Sequence, residues 1–155
     1  MSALSIATKI IAEFEGFRSA PYQDTGGVYT IGFGFTVDPN GKHVSADTPH
    51  ISQEDATDRL SLMVDRVLTR VREIAHVPLT DNQAAALTSF AYNLGTNALT
   101  NSTLMRLLNE GKPAEAAAQF PAWCHVNGAV CPGVLRRRRA EAALFLTPDV
   151  VEVSA

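Results

Sequence analysis

The feature that most limits what this chain can fold into is a long amphipathic run between Ser52 and Pro78. Ser52 with Asp55 three residues later is a helix-start pattern, because a serine hydroxyl can accept a first-turn N–H. Apolar residues then recur at helical spacing, at Ala56, Leu60, Met63/Val64, Val67, Val71 and Ile74, and Pro78 marks the limit. About 23 residues at ~1.5 Å each make a rod of roughly 35 Å, enough to cross a small domain. With 155 residues in all, the chain suffices for one domain or two small lobes. The rod therefore predicts a helix that ties one lobe to another.

The flanking segments differ in period. Ser2 can cap a first helix with the stripe Leu4, Ala7, Ile10/Ile11 and Phe14, stopped by Gly16. From Ala20 to Thr36 the period becomes two and glycines crowd in, which predicts a small antiparallel sheet. Asp38-Pro39-Asn40-Gly41 reads as a turn. After Pro78 the pattern is helical again. Thr80 and Gln83 form a capping box, and Gly95 stops that helix. Asn101/Ser102 to Gly111 reads as a short helix, and Pro113 and Pro132 suit the first turns of two more. The tail from Thr147 is expected to be loose. The fold class is α+β, mainly helical, with a small sheet.

Composition removes several functions. Thirteen Lys+Arg against sixteen Asp+Glu give a net charge of −3, the wrong sign for a protein that grips nucleic acid by its phosphates. No apolar run approaches the ~18–20 residues of a membrane span. The first residues carry Lys9, Glu13 and Glu15 within or just after the apolar part, unlike a signal peptide. The expectation is a chain made in the cytoplasm with its N-terminus kept. Cys124 and Cys131 are the only cysteines; they could close one local disulfide, but not a disulfide framework. The histidines show no zinc spacing, so no metal is expected.

Two carboxylates stand out. Glu15 ends the first helix, four residues beyond Ile11 and eight beyond Ala7, and so faces partly inward. Partial burial and the negative end of a helix both favour its protonated form, which suits a general acid. Asp24 lies in the turn Asp24-Thr25-Gly26-Gly27 that leads into Val28–Thr36. Alternation there predicts Tyr29, Ile31, Phe33 and Phe35 on one face, and Thr30, Gly32, Gly34 and Thr36 on the other, where glycines leave room for a ligand. Gly32 and Gly34 lack the third glycine of a dinucleotide loop.

Glu15, eight residues, Asp24, five residues, Thr30 and then Ile31-Gly32-Phe33-Gly34 resemble the active-site segment of the phage T4-type lysozymes, glycoside hydrolase family 24. The likeness continues in Leu79-Thr80-x-x-Gln83-x-x-Ala86-Leu87-x-Ser89-Phe90-Ala91-Tyr92-Asn93-Leu94-Gly95, in Asn101-Ser102-Thr103-Leu104 and in the arginine stretch ending at Glu141. It implies a lysozyme-like fold: a sheet-bearing lobe with three antiparallel strands over about residues 12–55, a connecting helix over about 52–77, and a helical lobe over about 78–146 with the N-terminal helix. A cleft between lobes would bind the glycan. It further implies a phage or prophage endolysin, a muramidase that hydrolyses the β-1,4 bond from N-acetylmuramic acid to N-acetylglucosamine in peptidoglycan and so lyses the host cell.

In that scheme Glu15 is the general acid, Asp24 activates or positions the water, Thr30 holds the water, and the anomeric centre is inverted. No cofactor is implied. Tyr92 and Ser102 align with sugar-contacting positions, and Gly32 and Gly34 line the same approach. Arg138 matches, within Arg137-Arg138-x-x-Glu141, an arginine that supports the acid. Helical phasing agrees, with Leu135, Ala142 and Leu146 buried, Arg138 and Arg139 flanking, and Arg136 and Arg137 outward. With neither a signal peptide nor an apolar tether in its first residues, the chain is expected to reach peptidoglycan in the periplasm only after a holin-type pore opens, and to act as a monomer. One departure is Phe35, where many relatives carry histidine. Arg136–Arg139 could touch anionic lipid. Two other functions fit parts of the pattern: a lytic transglycosylase acting on the same bond, and a non-catalytic peptidoglycan-binding module.

Overall fold

In the computed structural model, which describes residues 1–149, the first helix starts on Ser2. Its Oγ accepts the Ser5 N–H at 3.1 Å, and α1 runs Ala3–Glu15. Gly16 ends it at φ 71°, a left-handed conformation that glycine adopts without a steric penalty. Two strands follow, β1 (Arg18–Gln23) and β2 (Tyr29–Gly32). They pair antiparallel with Gln23 opposite Tyr29 and Tyr22 opposite Thr30, and the register is irregular between Arg18 and Tyr22.

The second strand is shorter than its alternating sequence predicts. Gly32 and Gly34 take φ values of 66° and 82°, and Ile31 and Phe35 exchange both backbone hydrogen bonds, at 2.9 and 2.8 Å. The chain thus reverses around Gly32-Phe33-Gly34 and does not run straight to Thr36. The expected aromatic face becomes a cluster at the reversal, with Phe33 5.5 Å from Phe17 and 6.4 Å from Phe35. Beyond it only isolated bridges form, Ile31 to Phe35 and Val37 to His43, so the sheet has two strands where three are expected.

Ser52 starts the long helix as its sequence requires, accepting the Asp55 N–H at 3.1 Å. Helix α2 spans Gln53–Ile74 and buries Ala56, Leu60, Val64, Leu68, Val71 and Ile74. Then come α3 (Asp81–Leu94), α4 (Thr96–Thr100), α5 (Thr103–Asn109), α6 (Pro113–Ala117) and a 3-10 turn at Phe120–Ala122. The capping box forms, with Thr80 accepting from Gln83 N and Gln83 answering the Thr80 N–H, and Gly95 closes α3. A hairpin absent from the sequence reading, β3 (His125–Val126) and β4 (Ala129–Val130), precedes α7 (Pro132–Leu146).

The chain divides into two compact units: Thr8–Met63, and Met1–Ala7 with the residues from Val64 onward. The boundaries fall inside α1 and α2. In the larger unit one apolar core joins Val71, Leu87, Phe90, Leu99, Leu104, Phe120 and Phe145, with Trp123 packed against it. Phe90 meets Phe120 and Trp123 edge-on, at 5.8 and 5.3 Å.

Two expectations for the C-terminal part change. Helix α7 is rotated from the predicted phase. Arg137 is buried, Arg139 is exposed, and Leu146 is 60% exposed, while Phe145 is buried. The predicted stripe assumed that arginines avoid the core. Here two of them enter it with a carboxylate. The tail is also tied down at its start. Asp149 accepts the N–H groups of Asp81 and Asn82 at 2.9 and 3.0 Å, and Asn82 Nδ2 donates to Thr147 O and Pro148 O. The rest of the tail lies outside the described residues.

Candidate active site

Three predicted residues fall in one stretch of the smaller unit. Glu15, the last residue of α1, is half-buried. Its carboxylate lies against the backbone of Gly34: a Cβ built there would stand 3.1 Å from Glu15 Oε2. Gly34 is thus needed twice, for its positive φ and for the close approach of the carboxylate. Gly32 serves differently. It is buried, and a Cβ there would stand 2.7 Å from the Phe35 ring. The room expected there for a ligand is filled by Phe35, and Gly34 alone of the pair remains exposed.

Asp24 is exposed and shapes the β1–β2 turn. Its Oδ1 accepts the N–H groups of Gly26 and Val28 at 2.8 and 2.9 Å, while its own N–H donates to Val28 O at 2.9 Å. Oδ2 takes no hydrogen bond among the described residues. Thr30 is buried, and its Oγ1 donates to Val28 O at 3.1 Å. With its proton so committed, the hydroxyl presents lone pairs, so that toward a water it is an acceptor. The Val28 peptide therefore bonds to both Asp24 and Thr30. Sequence reasoning missed this residue, because a backbone role leaves no trace in side-chain type.

Phe35 occupies the position where many relatives of the resembled family carry histidine. The Arg59 guanidinium stacks 4.4 Å from its ring centroid, and Arg59 also donates to Val37 O. A cation held over an aromatic face and bonded to a carbonyl fixes this turn without a histidine.

The other predicted residues belong to the larger unit. Tyr92 is half-buried on α3. Ser102 is buried and caps α5, donating to Leu99 O at 2.7 Å and accepting from Met105 N at 3.0 Å. This structural duty accounts for its hydroxyl. Arg138 is fully buried. It forms an ion pair with Glu141 at 2.8 Å, donates to Asn93 Oδ1 and lies 5.2 Å from the Phe90 ring centroid. Glu141, also fully buried, accepts from Ser89 Oγ at 2.6 Å and pairs with Arg137 at 3.4 Å. Burial pushes the Glu141 carboxyl above its usual range, against the pull of Arg138, Ser89 and Arg137. Burial likewise lowers the Arg138 guanidinium, opposed by Glu141. The Arg137-Arg138-x-x-Glu141 pattern thus encodes a core charge cluster, and the ion-pair partner it gives Arg138 is Glu141. Arg136 and Arg139 are exposed.

Among the described residues no group of three or more His, Cys, Asp or Glu is placed to hold a metal ion, and no helix is long and apolar enough to cross a membrane.

Comparison with known proteins places these residues in a family. The model of the family described as phage lysozyme matches residues 12–141, a span that holds Glu15, Asp24, Thr30 and the arginine stretch. The endolysin of Bacillus phage PZA is 39% identical over 139 residues, covering 88% of this chain and 52% of its own length. The chain therefore spans about half the length of this relative. Among solved structures, the endolysin from Escherichia coli O157:H7 phage FAHEc1 superposes with a TM-score of 0.86 at 31% identity, covering 94% of each chain. The muramidase domain of SpmX from Asticaccaulis excentricus gives 0.78 at 34% identity, over 92% of this chain and 95% of its own.

Proposed function

The chain belongs to the phage lysozyme family, and from that premise we propose that it is a muramidase of the endolysin type, hydrolysing the β-1,4 bond from N-acetylmuramic acid to N-acetylglucosamine in peptidoglycan. The observation that carries this reading is the division of labour at Asp24 and Thr30. Asp24 anchors its turn through Oδ1 and keeps Oδ2 unbonded, and Thr30 turns its proton to Val28 O. A water between two such acceptors donates both its protons and directs a lone pair outward, as an attacking nucleophile must.

In the mechanism we assign, Glu15 protonates the glycosidic oxygen as the bond to the anomeric carbon breaks. Asp24 Oδ2 takes a proton from the water that attacks that carbon from the opposite face, and the centre is inverted. Thr30 holds the water in line, and Gly34, with no side chain, lets the Glu15 carboxyl reach the bond. The reaction needs no cofactor, because both proton transfers are carried by side chains of the chain itself. Tyr92, half-buried on α3, is the aromatic we assign to a sugar face.

The test is turbidity loss of purified peptidoglycan with the wild type beside Glu15→Gln, with product analysis. Glu15→Gln removes the acidic proton and keeps the shape, so at least ~10³-fold of the rate should go while the melting temperature stays put. Products with reducing muramic acid ends support hydrolysis. Anhydro ends identify a lytic transglycosylase, and folded wild type that binds peptidoglycan without cleaving it identifies a binding module.

A further inference from the structure

The two cysteines of the chain are brought together by a hairpin that the catalytic reading does not use. His125 pairs with Val130 and Val126 with Ala129, so the next pair outward is Cys124 with Cys131. The Cys131 N–H donates to Cys124 O at 2.8 Å, a single bond that continues the hairpin one step outward. Residues opposed across antiparallel strands hold their Cα atoms about 4.5–5.5 Å apart with side chains on one face, within the Cα span a disulfide bridges. The turn is fixed as well. Asn127 and Gly128 have φ values of 51° and 81°, the two-residue form that matches strand twist. Both thiols are free in this structure, Cys124 buried and Cys131 half-buried.

From this geometry we infer that Cys124 and Cys131 are a disulfide-forming pair that locks the β3–β4 hairpin when the protein meets an oxidant. The oxidant is a disulfide, either a small molecule or an oxidised dithiol protein. The Cys131 thiolate, the more accessible, attacks one sulfur of that disulfide, forming a mixed disulfide and expelling one thiolate. Cys124 Sγ then attacks the Cys131 sulfur and expels the second. The two protein thiols lose two electrons and two protons, and the oxidant is reduced to two thiols.

The hairpin also forms a wall. A pocket of about 290 Å³ is lined by Asn93, Leu94, Trp123, His125, Val126 and Val134. Trp123 and His125 flank Cys124, and Cys131 is the residue from which α7 starts. A bond between Cys124 and Cys131 therefore fastens the hairpin to the first turn of α7 and narrows the motion of His125 and Val126. In a reducing thiol pool the wall is open to fluctuation; in an oxidising compartment it is fixed.

The experiment is incubation of the purified full chain in glutathione buffers, from fully reduced to mostly oxidised, followed by intact mass and thiol counting. The expected product is a monomer lighter by about 2 Da with no titratable thiol. Amide exchange over residues 124–131 should slow several-fold, and the melting temperature should rise by about 5 °C. Cys131→Ser, at the more exposed position, should show none of these changes. A wild type that stays glutathionylated, dimerises through its cysteines or keeps both thiols in the oxidised buffer would overturn the pairing. Unchanged exchange in the cross-linked protein would overturn the lock. These readouts are independent of glycan cleavage.

Discussion

The stretch from Glu15 to Phe35 and the seam between α3 and α7 are both polar constellations, and they treat their polar groups in opposite ways. In the first, the backbone holds each side chain and some capacity remains. Asp24 gives one oxygen to two N–H groups and keeps the other. Thr30 gives its proton and keeps its lone pairs. In the second, Ser89, Arg137, Arg138 and Glu141 are all buried and answer one another. A group can act on a ligand only with capacity left over, whereas a buried charge needs an opposite charge beside it, as Arg138 and Glu141 have at 2.8 Å, although Arg138 Nε and Nη1 and Glu141 Oε1 make no hydrogen bond among the described residues. Under the function proposed, the same residue types serve chemistry in one place and architecture in the other.

The largest break in that comparison comes from Arg138→Ala. It strips Glu141 of its 2.8 Å partner and leaves a buried carboxylate with Arg137 at 3.4 Å. Removing one partner of a buried pair costs about 3–5 kcal/mol, a fall in melting temperature on the order of 10 °C. Arg136→Ala, on the exposed side of the same helix, should stay within about 0.5 kcal/mol of wild type. Thermal unfolding of the two variants side by side decides. Equal melting temperatures would mean that the seam contributes no more than a surface charge.

Asp24 allows a finer cut, because its two oxygens have separate duties. Asp24→Asn keeps an acceptor for Gly26 and Val28 and deletes the base. Activity should fall ~10²-fold with the melting temperature unchanged. Asp24→Ala deletes both duties, so an equal loss of activity should come with about 1–2 kcal/mol of lost stability from two unanswered N–H groups. Near wild-type turnover by Asp24→Asn would reduce Asp24 to a turn residue and favour the transglycosylase chemistry.

The legible parts of this molecule are those whose signals are local. The Ser52 start of α2, the Thr80/Gln83 capping box and the Gly16 and Gly95 stops are each set by residues within one turn, and each forms as its sequence predicts. Glu15 and Asp24 are singled out by spacing and a family pattern, and the roles proposed for them rest on that pattern. What stayed hidden depends on partners distant in sequence or on backbone angles. The reversal at Gly32-Phe33-Gly34 replaces a straight strand because two glycines take positive φ, and an alternating pattern reads the same either way. Arg137 entered the core because Glu141 and Ser89, 48 residues before it, receive it there. Ser102 caps α5, a duty that a family pattern does not report.

The smallest loss predicted for a hydrogen-bonded side chain concerns another long-range partner, Asp149. Helix α3 begins with N–H groups that have no partner inside the helix. Thr80 Oγ1 accepts the one from Gln83 at 3.1 Å, and the Asp149 carboxylate accepts those of Asp81 and Asn82 through its two oxygens. One carboxylate thus completes a cap that local sequence began, and its negative charge lies at the positive end of the helix. Asp149→Ala leaves two part-buried donors unanswered, and water can reach them, so the cost should be about 1 kcal/mol, the usual scale of a lost cap. That is a fall of roughly 2–4 °C in melting temperature. Asp149→Asn keeps one acceptor oxygen without the charge and should fall about half as far. Neither variant touches Glu15, Asp24 or Thr30, so the rate per folded molecule should be that of wild type. If Asp149→Ala melts with the wild type, Thr80 alone suffices to start α3, and the contrast between the active segment and the helical unit rests on the Arg138–Glu141 seam. If it melts as low as Arg138→Ala, the tail is as much a part of the core as the seam is.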